Sequence, residues 1–161
     1  MNRIGDNLIH FAPNEDLVRA FVDTRVRFVV VGGLAVAWYC AERQADDMDL
    51  LIEPSVENSG RVETALGSVG IHNLPSGAFT RSGLQVPLKQ HLYAELLTPR
   101  TEGPTFEEIE LEAENGQLFG LPVRIASRTT LLEMKSIAAA AGGASAEKHQ
   151  RDINLLREND A

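Results

Sequence analysis

The chain has 161 residues and a formal net charge of −8, with 43% hydrophobic and 24% charged residues. This balance is ordinary for a globular protein long enough to bury a substantial core, so we expect one domain over residues 1–161. No Lys/Arg-rich run occurs, which argues against broad electrostatic binding of a nucleic-acid backbone but leaves a local positive site open.

The cysteine count and the lengths of the apolar stretches disfavour two further classes of protein. The single cysteine, Cys40, excludes a disulfide framework and a thiolate zinc site. No apolar stretch reaches ~18 residues, and the N-terminus lacks the basic start and long apolar core of a signal peptide. We therefore expect a cytoplasmic protein without a membrane segment.

Capping residues and apolar periodicity predict the elements in chain order. Asn14 is expected to cap a first helix, and residues 27–31 (RFVVV) form a β-branched run typical of a strand covered on both faces. Gly32 and Gly33 end this strand, a mostly buried helix follows, and residues 48–52 predict the next strand.

The remaining elements are predicted from similar signals. A helix capped by Ser55 comes first, followed by a mostly irregular segment at 70–88 and a third strand at 91–97. A capping-box helix from Thr105 and a tight hairpin around Gly120-Leu121-Pro122 come next. The chain then continues with a helix opened by Ser127, a flexible break at 141–146 and a last helix at 147–158. We therefore predict an α/β (α+β) fold, a small mixed β-sheet with helices packed on it, and a C-terminal helical portion from about residue 127.

The turn after the first strand has the features of an anion site. A strand that ends in Gly32-Gly33 and turns at once into a helix presents free backbone N–H groups at a helix N-terminus. Glycine also lets a phosphate approach the backbone closely. On its own, however, such a pair is more often a structural turn.

Carboxylates follow on the next two predicted strands. Asp47 and Asp49 lie two residues apart, so both side chains are expected on one face of the strand, with Asp46 on the other. Two such carboxylates repel each other unless a cation lies between them, and Mg²⁺ prefers oxygen ligands, including phosphate oxygens. Glu95 supplies a third acid within the apolar third strand. Each motif alone is usually structural or solvated, but together they predict a site for metal and phosphate.

This order of an apolar strand, Gly-Gly, a helix and an acid-x-acid pair resembles the nucleotidyltransferase superfamily to which DNA polymerase beta belongs. Thirteen residues separate Gly33 from Asp47, a spacing that the family tolerates. Arg43 looks like the Arg of the R-x-T-x-D-x-D pattern of small AbiEii-type toxins and lincosamide-type nucleotidyltransferases. The resemblance covers roughly residues 27–157, and its later part looks like the "Ser-x-x-x-Leu" helix and the Lys/Arg-Asp helix that close the AbiEii-type domain.

The resemblance implies a nucleotidyltransferase domain with an NTP as substrate and two Mg²⁺ ions. Asp47 and Asp49 would bind both metals, and Glu95 would ligate the ion that activates the acceptor hydroxyl. Gly32 and Gly33 would hold the β- and γ-phosphates. The acceptor is open among tRNA, a protein and a small molecule, and an AbiEii-type toxin would have an antitoxin protein as its partner.

Two basic residues are candidates for nucleotide binding, and each has an alternative. Arg43 either contacts phosphate or braces the strand by pairing with Asp46 or Asp49. Lys135 either reaches the nucleotide or is exposed on its helix, and exposure is the favoured alternative.

The last helix also has two interpretations. Lys148, Arg151 and Asp152 look like the closing motif of the family, but a set of salt bridges on a helix surface explains the same residues. The four histidines show no metal-ligand spacing and are assigned no role: His10, His72, His91 and His149.

A second class of function stays open because the sequence departs from the family pattern. Ala45 stands where the pattern has Thr, and Glu95 stands where Asp is commoner. The alternative to an enzyme is therefore a catalytically degenerate nucleotide-binding or protein-interaction module of the same fold.

Overall fold

The computed structural model describes residues 14–88 and 92–159, which form a six-stranded mixed sheet and six α-helices. The strands are β1 (Phe28–Val31), β2 (Met48–Ile52), β3 (Gln85–Pro87), β4 (Ala94–Leu97), β5 (Glu114–Leu118) and β6 (Leu121–Ile125). The helices are α1 (Asn14–Asp23), α2 (Gly32–Tyr39), α3 (Val56–Ser68), α4 (Phe106–Glu112), α5 (Arg128–Ala140) and α6 (Ala146–Glu158), with a 3₁₀ turn at Ala78–Thr80. The predicted fold class is confirmed. His10 lies outside the described residues, and so does His91, where the third strand was predicted to begin.

The strands are arranged in the order β3-β4-β2-β1-β6-β5. β2 lies antiparallel to β1 and parallel to β4, while β6 lies parallel to β1. The outer strands β3 and β5 each pair antiparallel with their neighbour. The two strands that carry the predicted acids, β2 and β4, are therefore adjacent.

Strand β1, at the centre of the sheet, is apolar throughout. All four residues of β1 are buried, as expected of a strand covered on both faces. Two groups of helices pack together, α1 with α3, and α2 with α5 and α6. Among the described helices, none is long and apolar enough to cross a membrane.

Three predicted helix starts are confirmed by their hydrogen bonds. The Ser55 hydroxyl accepts from the backbone N–H of Asn58 at 3.1 Å, and the Ser127 hydroxyl accepts from that of Thr130 at 3.0 Å. Thr105 and Glu108 form a reciprocal capping box, each side chain accepting from the other residue's N–H at 3.2 Å. These caps satisfy N–H groups that lack intrahelical partners, which is why the sequence signals located the helices well.

Two local predictions need correction. Asn14 is the first helical residue of α1, and its buried amide exchanges hydrogen bonds with the backbone of Tyr93, at 2.9 and 3.1 Å. The hairpin is confirmed, but Leu118 pairs with Leu121, so its turn consists of Phe119 and Gly120. Both turn residues have positive φ, 55° and 77°, the conformation that two-residue hairpin turns require.

Candidate active site

The sheet register brings the glycine pair and two of the predicted acids together. Val31, the last residue of β1, lies opposite Asp49 on β2, and Asp49 lies opposite Glu95 on β4. Residues opposite one another on adjacent strands project to the same face, with strands about 4.8 Å apart. The Gly32-Gly33 turn, which follows Val31 directly, therefore lies beside the two carboxylates.

A cleft of about 550 Å³ opens beside these three inner strands. Strands β1, β2 and β4 contribute to its floor, and helices α5 and α6 contribute to its wall. All seven residues predicted for the site line this cleft: Gly32, Gly33, Arg43, Asp47, Asp49, Glu95 and Lys135.

Each glycine leaves room for a charged side chain. Gly32 has a φ of +68°, and a Cβ at this position would overlap the carboxylate of Asp49. A Cβ at Gly33 would lie 2.6 Å from Nη2 of Arg43. Besides the close approach of a phosphate, the structure therefore shows a second reason why glycine is needed at both positions. The Asp49 carboxylate and the Arg43 guanidinium occupy the space where the two Cβ atoms would lie.

Asp49 is partly buried and surrounded by charge. The pKa of Asp49 is raised to about 7, chiefly by burial and in addition by the neighbouring Glu95 and Asp47 carboxylates. The cations Lys135 and Lys148 oppose the shift but do not cancel it. Asp49 is therefore repelled by its two acidic neighbours, as expected of a carboxylate that ionises fully only beside additional positive charge.

Asp46 lies before the strand, so the alternation from which its orientation was expected does not apply to it. Asp46 lines the same cleft as Asp47 and Asp49, although alternation along a strand would have pointed it away. The physical reason is that β2 begins only at Met48, and Asp46 and Asp47 form a bend in which the two-residue period does not hold.

Asp152 on α6 joins the two basic residues that the sequence nominated for nucleotide binding. Its Oδ1 accepts from Nε of Arg43 at 2.8 Å, and its Oδ2 accepts from Nζ of Lys135 at 2.9 Å. Burial alone would raise the pKa of Asp152, but the hydrogen bonds from Arg43 and Lys135 outweigh burial and hold the pKa below its ordinary value. The carboxylate is thus held ionised between two cations.

Two sequence interpretations are corrected by this pairing, and for a third residue, Arg43, the pairing adds a partner that was not considered. Lys135 is 8% exposed, so the favoured alternative of an exposed lysine is wrong. Asp152 is 2% exposed, so it is not part of a salt-bridged helix surface. Arg43 has a partner, Asp152, that was not among the two strand acids considered for it.

Three further residues, all with basic side chains, line the cleft and were not among the predicted site residues. Arg100, Lys148 and His149 also line the cleft. Lys148 and His149 precede Asp152 by four and three residues, and at these spacings side chains share one face of a helix. The spacing of Lys148 and His149 from Asp152 was the sequence signal that could have placed them in the site. It does so only once Asp152 is known to be buried.

The donor chemistry of the cleft suits Mg²⁺. Among residues 14–88 and 92–159, no three His, Cys, Asp or Glu side chains are close enough to form a ready metal cage. Mg²⁺ does not require one, because it binds through one or two carboxylates and completes its shell with water and substrate phosphates. Of the four described acids that line the cleft, the three predicted as metal ligands (Asp47, Asp49 and Glu95) provide carboxylate oxygens that fit that mode.

Comparison with known proteins locates the fold. No protein-family model matches the chain, and no curated protein matches it. A crystal structure of ANT(2'')-Ia in complex with adenylyl-2''-tobramycin matches with a TM-score of 0.61 and 18% identity, over 92% of this chain and 87% of that one. Lincomycin-bound LnuA, a lincosamide antibiotic adenylyltransferase, matches with a TM-score of 0.52 and 15% identity, over 90% and 96%.

A third solved structure is also similar to the chain. An antigenic nucleotidyltransferase-like protein from Paracoccidioides brasiliensis matches with a TM-score of 0.56 and 16% identity, over 89% of this chain and 73% of that one. At these identities the likeness concerns the backbone arrangement. The chain therefore has the fold of nucleotidyltransferase-like proteins.

Proposed function

We propose that the protein is a metal-dependent nucleotidyltransferase that moves a nucleoside monophosphate from an NTP to a hydroxyl acceptor. The observation that carries this proposal is that Asp49 and Glu95 lie opposite each other on adjacent strands and that Gly32-Gly33, which follows Val31 opposite Asp49, lines the same cleft. The fold supports the same conclusion, because adenylyltransferases share it.

The acidic residues have distinct expected roles. Asp47 and Asp49 would hold two Mg²⁺ ions, and Glu95 would ligate the ion nearer the acceptor hydroxyl. When bound, such ions stabilise the attacking and leaving oxygens of an in-line displacement. The Glu95 carboxylate, beside Asp49, is also the group expected to receive the proton of the acceptor hydroxyl.

The remaining site residues would bind and orient the nucleotide. The backbone N–H groups of Gly32 and Gly33 begin α2 and favour phosphate oxygens. Arg43 and Lys135 add positive charge, and Asp152 fixes the position of both. The acceptor oxygen would form a bond to the α-phosphorus while the bond from that atom to the bridging oxygen breaks, releasing pyrophosphate.

The proposed acceptor is a small molecule. The net charge of −8 disfavours a long RNA, since the 23 acidic residues outnumber the 15 Lys and Arg residues and repel its phosphates. ANT(2'')-Ia with adenylyl-2''-tobramycin and lincomycin-bound LnuA both combine this fold with a small acceptor. The toxin role and the antitoxin partner stay predictions from the sequence resemblance.

The first experiment is a calorimetric titration of ATP, GTP, CTP and UTP into the protein with Mg²⁺ and with chelator. We expect Mg²⁺-dependent binding of one nucleotide, weakened in the Asp49→Asn variant. A matched control is Glu57→Gln, since Glu57 is an exposed acid on α3 that pairs with Arg61 outside the cleft.

Turnover separates the enzyme from the degenerate module. With a suitable acceptor, Asp49→Asn should abolish nucleotide transfer while the fold is kept, and Asp47→Asn should do the same. Full activity of both variants would refute the metal assignment. Failure of all four nucleotides to bind would favour the degenerate module, and the search would turn to protein partners.

A further inference from the structure

His149 is the histidine that the structure places in the cleft. It lies on α6, three residues before Asp152, and is partly buried. The other described histidine, His72, is exposed and does not line the cleft. His149 therefore differs from an ordinary surface histidine in both burial and location.

The contact between His149 and Lys135 determines which ring nitrogen carries the proton. Nζ of Lys135 lies 3.4 Å from Nδ1 of His149. A lysine ammonium can only donate hydrogen bonds, so Nδ1 must accept. The neutral ring then carries its proton on Nε2.

Charged groups around His149 favour this neutral form. Lys135 on α5, Lys148 on α6 and Arg100 after β4 are cations near the ring, and Asp152 is the opposing anion. Burial lowers the pKa of His149, the Lys135 charge lowers it further, and the attraction of Asp152 does not compensate. The ring therefore stays an acceptor toward Lys135 at neutral pH.

Lys135 uses two of its three N–H groups in described contacts. One donates to Oδ2 of Asp152 at 2.9 Å, and a second meets Nδ1 of His149. Two fixed acceptors define the orientation of a tetrahedral ammonium, so the direction of its third N–H is also defined. Because Lys135 lines the cleft, that donor is available to a bound anion.

We propose that His149 is a positioning residue that, jointly with Asp152, holds the Lys135 ammonium in the orientation that binds a nucleotide phosphate. This inference rests on the proposed function and adds to it a residue and a tautomer. It explains how the third N–H group of a buried lysine that already pairs with a carboxylate is oriented toward substrate.

The tautomer is tested without any substrate. Nitrogen-15 spectra of the full chain with labelled histidine should show Nε2 protonated and Nδ1 unprotonated for His149 near neutral pH. The His149 signals are identified by their loss in His149→Leu. A proton on Nδ1, or a charged ring near neutral pH, would overturn the proposal.

Nucleotide binding tests the positioning role itself. His149→Leu keeps the bulk but removes the acceptor, and we expect about tenfold weaker Mg²⁺-nucleotide binding, as for the loss of a hydrogen bond to a charged group. His149→Asn retains an acceptor oxygen and should recover most of the affinity. His72→Leu is the matched control and should bind like the unaltered protein.

A double-mutant cycle shows whether His149 acts through Lys135. Once Lys135→Met has removed the ammonium, His149→Leu should weaken binding no further. Equal losses in both backgrounds, or normal binding by His149→Leu, would overturn the positioning role while leaving the proposed function intact. Failure of the unaltered protein to bind any nucleotide would overturn both.

Discussion

Gly32 satisfies two constraints that only glycine can meet together. Its φ of +68° is unfavourable for residues with a side chain, and the space where a Cβ would lie is occupied by the Asp49 carboxylate. We expect Gly32→Ala to lower the free energy of unfolding by about 2 kcal/mol or more and to displace Asp49, so that Mg²⁺-nucleotide binding is lost. Urea unfolding and calorimetry measure the two effects separately.

Two other glycines provide the matched comparison. Gly33 has an ordinary φ, and an added Cβ there meets only the end of the Arg43 side chain, without the backbone strain of Gly32, so Gly33→Ala should be less destabilising. Gly60 lies within α3 with no described atom within 4 Å of its Cβ position, so Gly60→Ala should stabilise by about 0.5–1 kcal/mol. Equal destabilisation by all three substitutions would contradict this account of Gly32.

The raised pKa of Asp49 predicts a pH-dependent stability of the metal-free protein. In the folded state the pKa is about 7, whereas the unfolded value is near 3.8. Between these values the folded state keeps a proton that the unfolded state has lost, so the stabilising contribution is full below about pH 4 and is lost as the pH rises toward 7. The Asp49→Asn variant has no carboxyl group to ionise at this position, so it should not lose this stability as the pH rises.

The expected gain is large enough to measure. Each pKa unit corresponds to about 1.4 kcal/mol, so the stability of Asp49→Asn relative to the unaltered protein should rise by roughly 2–3 kcal/mol from about pH 5 to about pH 8. The measurement is urea unfolding with chelator present, with the exposed acid Asp23→Asn as control. A difference that stays constant over this range would contradict the repulsion inferred for the site.

At the residue scale, the sequence predicted the acids better than the cations. Asp47, Asp49 and Glu95 were nominated because carboxylates within apolar segments are costly unless they have a function, and that cost is visible in sequence. Burial of Lys135 was not visible. Its neutralising partner, Asp152, is on another helix, and only tertiary packing brings the two within 2.9 Å.

At the scale of elements, α6 is attached to the rest of the molecule through polar contacts with three other segments. Asp152 pairs with Arg43 before β2 and with Lys135 on α5. The carbonyl of Leu156 accepts from Arg128, and that of Leu155 accepts from Sγ of Cys40 at 3.5 Å. Asp152, 2% exposed, is more deeply buried than Lys135, which is 8% exposed.

We expect Asp152→Ala to destabilise the protein by about 3 kcal/mol, because it leaves two cations without their buried partner. The pKa of Asp152 is lowered, so its stabilising contribution is present above the unfolded pKa and is lost as the pH falls through the folded value. Urea unfolding at neutral pH measures the loss.

The control for this prediction is on the same helix. Glu147 is an exposed acid in the first turn of α6, and Glu147→Gln should change stability by less than about 0.5 kcal/mol. A similar small effect of Asp152→Ala would mean that α6 is held by its apolar residues alone.

Elements were predictable where the chain marks its own boundaries. Strand β2 was predicted at 48–52 and is found at Met48–Ile52, and the capping residues located the starts of α3, α4 and α5. The exact hairpin turn was not predictable, because Phe119 adopts a positive φ that its residue type disfavours. The role of Asn14 was missed because its partner, Tyr93, is distant in sequence.

At the scale of the whole molecule, the strand order creates the site. β2 and β4 carry the acids and are neighbours, although β3 lies between them in sequence, and β1 brings the glycine turn to the other side of β2. Periodicity identifies strands but not which strand pairs with which, so the register of Asp49 with Glu95 could be inferred only through a family resemblance.

A cleft lined by several parts of the sheet and by two helices couples ligand binding to global stability. A ligand that binds only the folded state at about 100 times its Kd adds about 2.7 kcal/mol, which for a chain of this size raises Tm by about 5–10 °C. We expect this rise with Mg²⁺ and the preferred NTP together, measured by thermal unfolding, and its disappearance with chelator.

Asp49→Asn makes this prediction more demanding. At about pH 8 and without ligand, the variant should unfold at a higher temperature than the unaltered protein, because the carboxylate repulsion is gone. With Mg²⁺ and NTP it should show no further rise, because a ligand of the metal is also gone. A variant that gains both intrinsic stability and the full ligand-induced shift would contradict the assignment of Asp49 to the metal. Opposite changes in stability and binding are the behaviour expected of a residue kept for chemistry at a cost to the fold.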